Sequence, residues 1–199
     1  METVDLELLA KNGLSSDEIK FLIDEHESKV ASDLKLKHAR YMAGADGTPI
    51  FKRVLDQNEN AGKINNKLNN DFVGEIIDTK VGYFIGIPIS YVNGDGETPD
   101  EIVNFNAMND VEDADAETVK KFSICGYSTR LLYLDTEGQE RLRRIEPWEV
   151  ILFYDESMTH PHYAIRYYTT VANDGKEVTN VQLYTHTNVI FYDNSKGQF

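Results

Sequence analysis

Apolar residues recur at helical spacing through Ile19, Leu22, Ile23, Val30 and Leu34, with Glu, Lys and Asp at the positions between. That pattern predicts a surface helix over 15–41 with one apolar stripe. Ser15 and Glu18 stand at capping-box spacing at its start, and Lys35, Lys37, His38 and Arg40 suit the negative end of the helix dipole before Gly44. Residues 43–69 are rich in Gly and Asn and read as a long ordered loop, a length usually tied to function or contacts. Asn70 or Asp71 then caps a short helix with an inner face of Phe72, Ile76 and Ile77. Gly82 falls where a left-handed residue would stop that helix, and Tyr83-Phe84-Ile85 with Ile87-Pro88-Ile89 reads as an apolar strand. Pro88 has no N–H to give a ladder, so the strand is expected at an edge or with a bulge.

Asn93-Gly94-Asp95-Gly96 reads as a turn. Thr98 and Glu101 form a second capping-box spacing with Pro99 at the first helical position, opening a helix to about Met108. A further helix is expected over 114–125, its start favoured by Asp113, Asp115 and Glu117. From Tyr127 the period changes to two, predicting strands at 127–134, 140–145, 150–154, 162–171, 178–184 and 189–192. Turn residues separate them at 135–138, 173–175 and 193–197. The layout is α+β, surface helices followed by a largely antiparallel β meander. It divides into an N-terminal helical segment 1–44, a helix–strand connector with short helices over 45–125, and the meander over 126–199. The chain stops at Gly197-Gln198-Phe199 directly after a strand and a polar turn, which reads as a fragment or the product of a shortened gene.

At 199 residues, 41% hydrophobic and 27% charged, the chain has the composition of a folded globular protein. No apolar run approaches the ~20 residues of a membrane-spanning helix. The start METVDLELLAKNG has no basic region and no apolar signal core, so neither secretion nor membrane insertion is expected. Cys125 is the one cysteine, which excludes an internal disulfide and a cysteine-rich zinc site; its neighbours Phe122, Ile124 and Tyr127 point to a buried structural thiol. The net charge of -14, from 34 acids against 20 basic residues, argues against gripping DNA. The one dense basic cluster is Arg141, Arg143 and Arg144. An acidic surface past which DNA slides is compatible with this charge, because repulsion removes sticking points.

No catalytic, cofactor-binding or metal site is expected. His160-Pro161-His162, with Asp155, Glu156 and His186 close in sequence, lacks a spacing that makes ligands converge. Asp110, Glu112, Asp113, Asp115 and Glu117 lack the order of a calcium loop and read as a solvated helix start. Pro99-Asp100 and Glu18-Ile19-Lys20 resemble fragments of nuclease motifs in the wrong order and context. Gly82-x-x-x-Gly86 is no phosphate loop, and no Gly-x-Ser-x-Gly elbow is present. The eleven Tyr and nine Phe have mostly Asp, Glu, Thr and Asn as neighbours, which favours core packing and subunit interfaces over stacking on single-stranded nucleic acid.

Five groups of residues, in order, resemble the portal proteins (head–tail connectors) of tailed bacteriophages, of the type in siphophages of Gram-positive hosts. They are Tyr41-Met42-Ala43-Gly44 with Pro49-Ile50, Lys63-Ile64-Asn65, and the run Val81-Gly82-Tyr83-Phe84-Ile85-Gly86-Ile87-Pro88-Ile89-Ser90-Tyr91. Gly126-Tyr127 with Leu131-Leu132-Tyr133 and Gly138 comes fourth; Ile145-Glu146-Pro147-Trp148-Glu149-Val150-Ile151 with Ala164-Ile165-Arg166-Tyr167-Tyr168 is fifth. Each motif alone is weak; the ordered set covers nearly the whole chain. Gly82, Tyr83, Gly86, Pro88, Tyr91, Pro147 and Arg166 are its structural motif positions. The resemblance implies the N-terminal wing portion alone, since family members run to more than twice this length and continue into stem, clip and crown. It implies a non-enzymatic structural protein of the virion, self-associating into a ring, usually a dodecamer, at the capsid portal vertex. Capsid or scaffolding protein, terminase, head–tail adaptor and double-stranded DNA in the channel are the implied partners; a cofactor and a membrane are not. Assembly would take place in the host cytoplasm. A truncated, prophage-derived binding module without ring formation and a metal-dependent nuclease on the acidic cluster are the alternative readings.

Overall fold

The structure is a computed structural model that describes residues 13–44, 47–54, 64–154 and 161–195. The chain divides into two compact units, Met1–Ser32 with Trp148–Phe199, and Asp33–Pro147.

The first unit opens with α1, Ser16–His26, on the expected capping box. The Ser15 N–H and hydroxyl both donate to Glu18 Oε2, at 2.8 and 2.6 Å, and the Glu18 N–H points back to Ser15 Oγ at 3.4 Å. A π-helical turn, Glu27–Ala31, follows α1, and this part of the first unit ends at Ser32, the first residue of α2, Ser32–Tyr41. Four antiparallel strands follow late in the chain: β3 Val150–Tyr154, β4 Pro161–Val171, β5 Glu177–Tyr184 and β6 Val189–Asp193, in that spatial order. Register places Ile151 opposite Ile165, Ile165 opposite Leu183 and Leu183 opposite Ile190; Tyr167, Val181 and Tyr192 align in the same way. Opposed residues point to one face of a sheet, so these side chains form a single apolar layer. Leu14, Ile19, Leu22 and Ile23 of the α1 region pack onto it, and Ile19, Ile165, Val181 and Leu183 are fully buried. Polar groups at this seam are satisfied: the Tyr192 hydroxyl accepts the Leu14 N–H at 2.8 Å, and the Tyr167 hydroxyl meets His26 Nδ1 at 2.8 Å and donates to Glu27 Oε1 at 3.1 Å.

The second unit holds α2 from Asp33 onward, α3 Pro49–Lys52, α4 Phe72–Ile85, α5 Asp100–Asn109, α6 Val111–Cys125, and the hairpin β1 Thr129–Leu134 with β2 Glu140–Ile145. α4 packs on α6, while α5 and α6 pack on β2. Arg130 of β1 ties hairpin to helix, reaching Thr118 Oγ1 at 2.7 Å, the Ala114 carbonyl at 3.1 Å and the buried Asp115 carboxylate at 2.5 Å. Tyr41 donates to Asp78 Oδ1 of α4 at 2.8 Å; burial and that carboxylate push the phenol up to about 12.

The strands, antiparallel as expected, form two sheets, β1–β2 and β3–β6, because β2 and β3 do not pair and the 3₁₀ turn Pro147–Glu149 separates them. Four expectations change. Gly82 is not a helix stop: α4 runs through it to Ile85, and Gly82 does not have a positive φ. One glycine costs a helix only ~1 kcal/mol, and burial of Ile85 on the continued turn offsets that. The stop comes from Ile87-Pro88, since the residue before a proline is driven out of the α region. The segment 83–89 is therefore helix end and extended chain rather than strand, and Pro88 lies in no sheet. Thr98 makes no capping box either: Pro99 is the N-cap of α5, without a side-chain cap. Finally, α6 starts at Val111, three residues before its expected start, and the left-handed Asp110 separates it from α5. The positions 1–12, 63 and 196–199 lie outside the described residues.

Candidate functional site

Asp71 starts α4, its carboxylate accepting the Gly74 N–H at 2.9 Å, and Tyr41 holds Asp78 on one flank. The helix nevertheless buries little of itself. Gly74 and Ile85 are buried and Ile77 and Val81 half-buried, whereas Phe72 is 64% and Ile76 68% exposed, against the expected inner face. The run beyond is more open: Tyr83 is 94% exposed, Phe84 73% and Ile87 86%. Helices that are apolar on most of their circumference are normally covered on most of it. This one is covered mainly on the side that packs on α6.

A cleft of about 650 Å³ lies at the C-terminal end of α4, between Ile85, Pro88 and Ile89 on one side and Asn106, Asp110 and Glu112 on the other. Its acids do not assemble a cation site. Asp113 pairs with Arg144 at 2.9 Å, Asp115 with Arg130, and Glu117 with Lys120. Among the described residues no group of three His, Cys, Asp or Glu could hold a metal ion. His162 Nδ1 and His186 Nε2 do meet, at 3.3 Å with their rings edge to face; His160, Asp155 and Glu156 lie outside the described residues. Cys125 is buried, and that burial pushes its thiol up, away from the reactive thiolate.

The motif positions separate into two kinds. Gly82, Tyr83, Gly86, Pro88 and Tyr91 follow one another along the exposed run. Pro147 is fully buried in the second unit, its carbonyl accepting the Tyr127 hydroxyl at 3.1 Å. Arg166 is buried in β4 of the first unit, its guanidinium 4.4 Å over the Tyr168 ring and 3.6 Å from Glu149 Oε2. Gly86 has a steric reason: a Cβ there would fall well inside contact distance of the Gly82 carbonyl oxygen. The surface character of α4 was not legible from spacing, because an apolar helix reads as core whether a protein covers it from within or from outside.

The model of a phage portal protein family, SPP1 Gp6-like, matches residues 19–199. The chain belongs to that portal protein family. A relative, the portal protein of Bacillus phage SPP1, is 29% identical over 187 residues, which are 91% of this chain and 36% of that protein. The chain thus spans about a third of that relative's length. Its α+β architecture, helices followed by antiparallel strands, agrees with the expectation from the resemblance. No helix among the described residues is long and apolar enough to cross a membrane.

Proposed function

We propose that this chain is a structural part of a phage portal, the wing portion of a ring at one capsid vertex through which DNA enters and leaves. The observation that carries the reading is the family match across 19–199. The exposed apolar run at its characteristic segment supports it, because a building block of an assembly must leave surface for its neighbours. The chain acts by shape: it self-associates, meets capsid or scaffolding protein, and in the complete assembly works with terminase and head–tail adaptor. Its acidic balance, -14 overall, lets double-stranded DNA pass with little adhesion. In this reading the chain contributes no chemistry of its own. The location is the virion vertex, after assembly in the host cytoplasm.

Antibodies against the chain, applied to purified particles of the source phage and viewed by electron microscopy, test this reading. Label at a single vertex is the expected result. Particles without label, or label spread over the shell or the tail, would overturn it.

A further inference from the structure

His162 and His186 stand 24 residues apart in the chain, yet His162 Nδ1 lies 3.3 Å from His186 Nε2. Sequence spacing does not bring them together; the sheet does. His162 is the second residue of β4, where the register with β3 slips by one: Phe153 faces Tyr163 and Tyr154 faces Pro161. It is thus the extra residue of a β-bulge, a device that re-aims a side chain. His186 sits on the turn between β5 and β6. That turn is closed by the Thr185 N–H on the Asn188 carbonyl at 2.9 Å and by the Asn188 N–H on Thr185 Oγ1 at 3.0 Å. The Tyr163 ring packs 5.3 Å from the His186 ring. Each imidazole is carried on backbone that is fixed on its own account.

We propose that this pair chelates a divalent cation of the class that favours imidazole, zinc first, and that the ion ties the start of β4 to the β5–β6 turn. Two imidazole nitrogens bound tetrahedrally to one zinc, at about 2.0–2.1 Å each, stand about 3.3–3.4 Å from one another. The observed 3.3 Å meets that span and is long for a hydrogen bond. The rings meet edge to face, at 87°. Histidine χ2 is a soft torsion, so small turns of the rings aim both lone pairs at one point. The ring that donates its proton across the pair carries it on its other nitrogen instead, and both imidazoles stay neutral. No group of three His, Cys, Asp or Glu converges among the described residues, so water fills the remaining positions on the ion. His162 is half-buried and His186 exposed, which gives the ion a way in. The net charge of -14 draws cations to the chain, and the two nitrogens select zinc over magnesium and calcium, which prefer oxygen. The site is independent of the portal reading.

Calorimetric titration of zinc chloride into the full 199-residue chain, in metal-free, non-coordinating buffer, tests it. His162→Ala and His186→Ala should each weaken zinc binding at least about tenfold, the least that loss of a ligand costs a metal site. The double variant should bind little worse than either single one, because losing one arm already ends the chelate. Excess magnesium should not compete. Zinc should raise the thermal midpoint of the wild-type chain and leave that of His186→Ala unmoved. Melting without metal is the folding control, and His186, exposed on its turn, gives a folded variant even where His162→Ala does not. A wild-type chain that takes up no zinc at millimolar concentration overturns the proposal. So does undiminished binding by His186→Ala, which would place the ion elsewhere. Zinc that binds the wild-type chain without raising its midpoint overturns the tie between strand and turn. Single-vertex labelling is untouched by all three results.

Discussion

A side chain built on Gly82 would meet nothing within 4 Å, whereas one on Gly86 would strike the Gly82 carbonyl oxygen. The two glycines of one motif therefore answer to different physics. Gly82 sits inside α4 and brings only the entropic cost of a flexible residue in a helix. Gly82→Ala should raise stability by about 0.5–1 kcal/mol, read as an increase in the urea midpoint. Gly86→Ala should lower that midpoint, because the backbone there leaves no room for a methyl group. Equal effects at the two positions would count against the described end of α4. The expected left-handed stop at Gly82 went wrong because glycine permits a stop without compelling one; the proline six residues later does compel one.

Among the elements, α1 shows how closely local chemistry can be read. Ser, then Glu three residues on, then apolar residues at helical spacing left few alternatives, and the reciprocal bonds of Ser15 and Glu18 are present. Hydrogen bonds from the Ser15 hydroxyl and N–H hold the Glu18 carboxyl below its ordinary 4.5. The ionised form is thus favoured in the fold: its contribution is present above the ordinary value and lost as pH falls through the lowered one. Ser15→Ala should lower stability by about 1 kcal/mol near neutral pH, with a smaller penalty at pH 3 than at pH 7 in paired melting curves. The second capping-box spacing, Thr98 with Glu101, shows the limit of such patterns. Pro99 takes the N-cap position itself, and the Thr98 side chain has no cap to make.

Across the whole molecule, the core of the first unit joins Leu14 and Ile19 to residues between Ile165 and Leu183, far apart in the chain. Leu183 has no exposed surface and lies opposite both Ile165 and Ile190. Leu183→Ala should cost about 2–5 kcal/mol through lost contacts and the cavity left behind, measured by denaturant unfolding followed through the near-ultraviolet signal of the sheet's tyrosines. A loss below about 1 kcal/mol would mean that the described layer is not the core. Substitutions on the exposed run, such as Phe84→Glu, should by contrast leave unfolding unchanged and act on assembly alone.

Element type and order, the strands from Thr129 onward above all, were written in the one-dimensional pattern, because alternation and turn residues act over a few neighbouring positions. The family, too, was legible in the order of short motifs. What the pattern left open was which strands share a sheet, how far α4 runs, and which apolar positions are covered. Those depend on partners distant in the chain: Ile85 finds burial that extends a helix, and β3 finds β4 rather than β2. Hydrophobicity dictates that a residue be covered, and only the packed molecule decides whether its own chain does the covering.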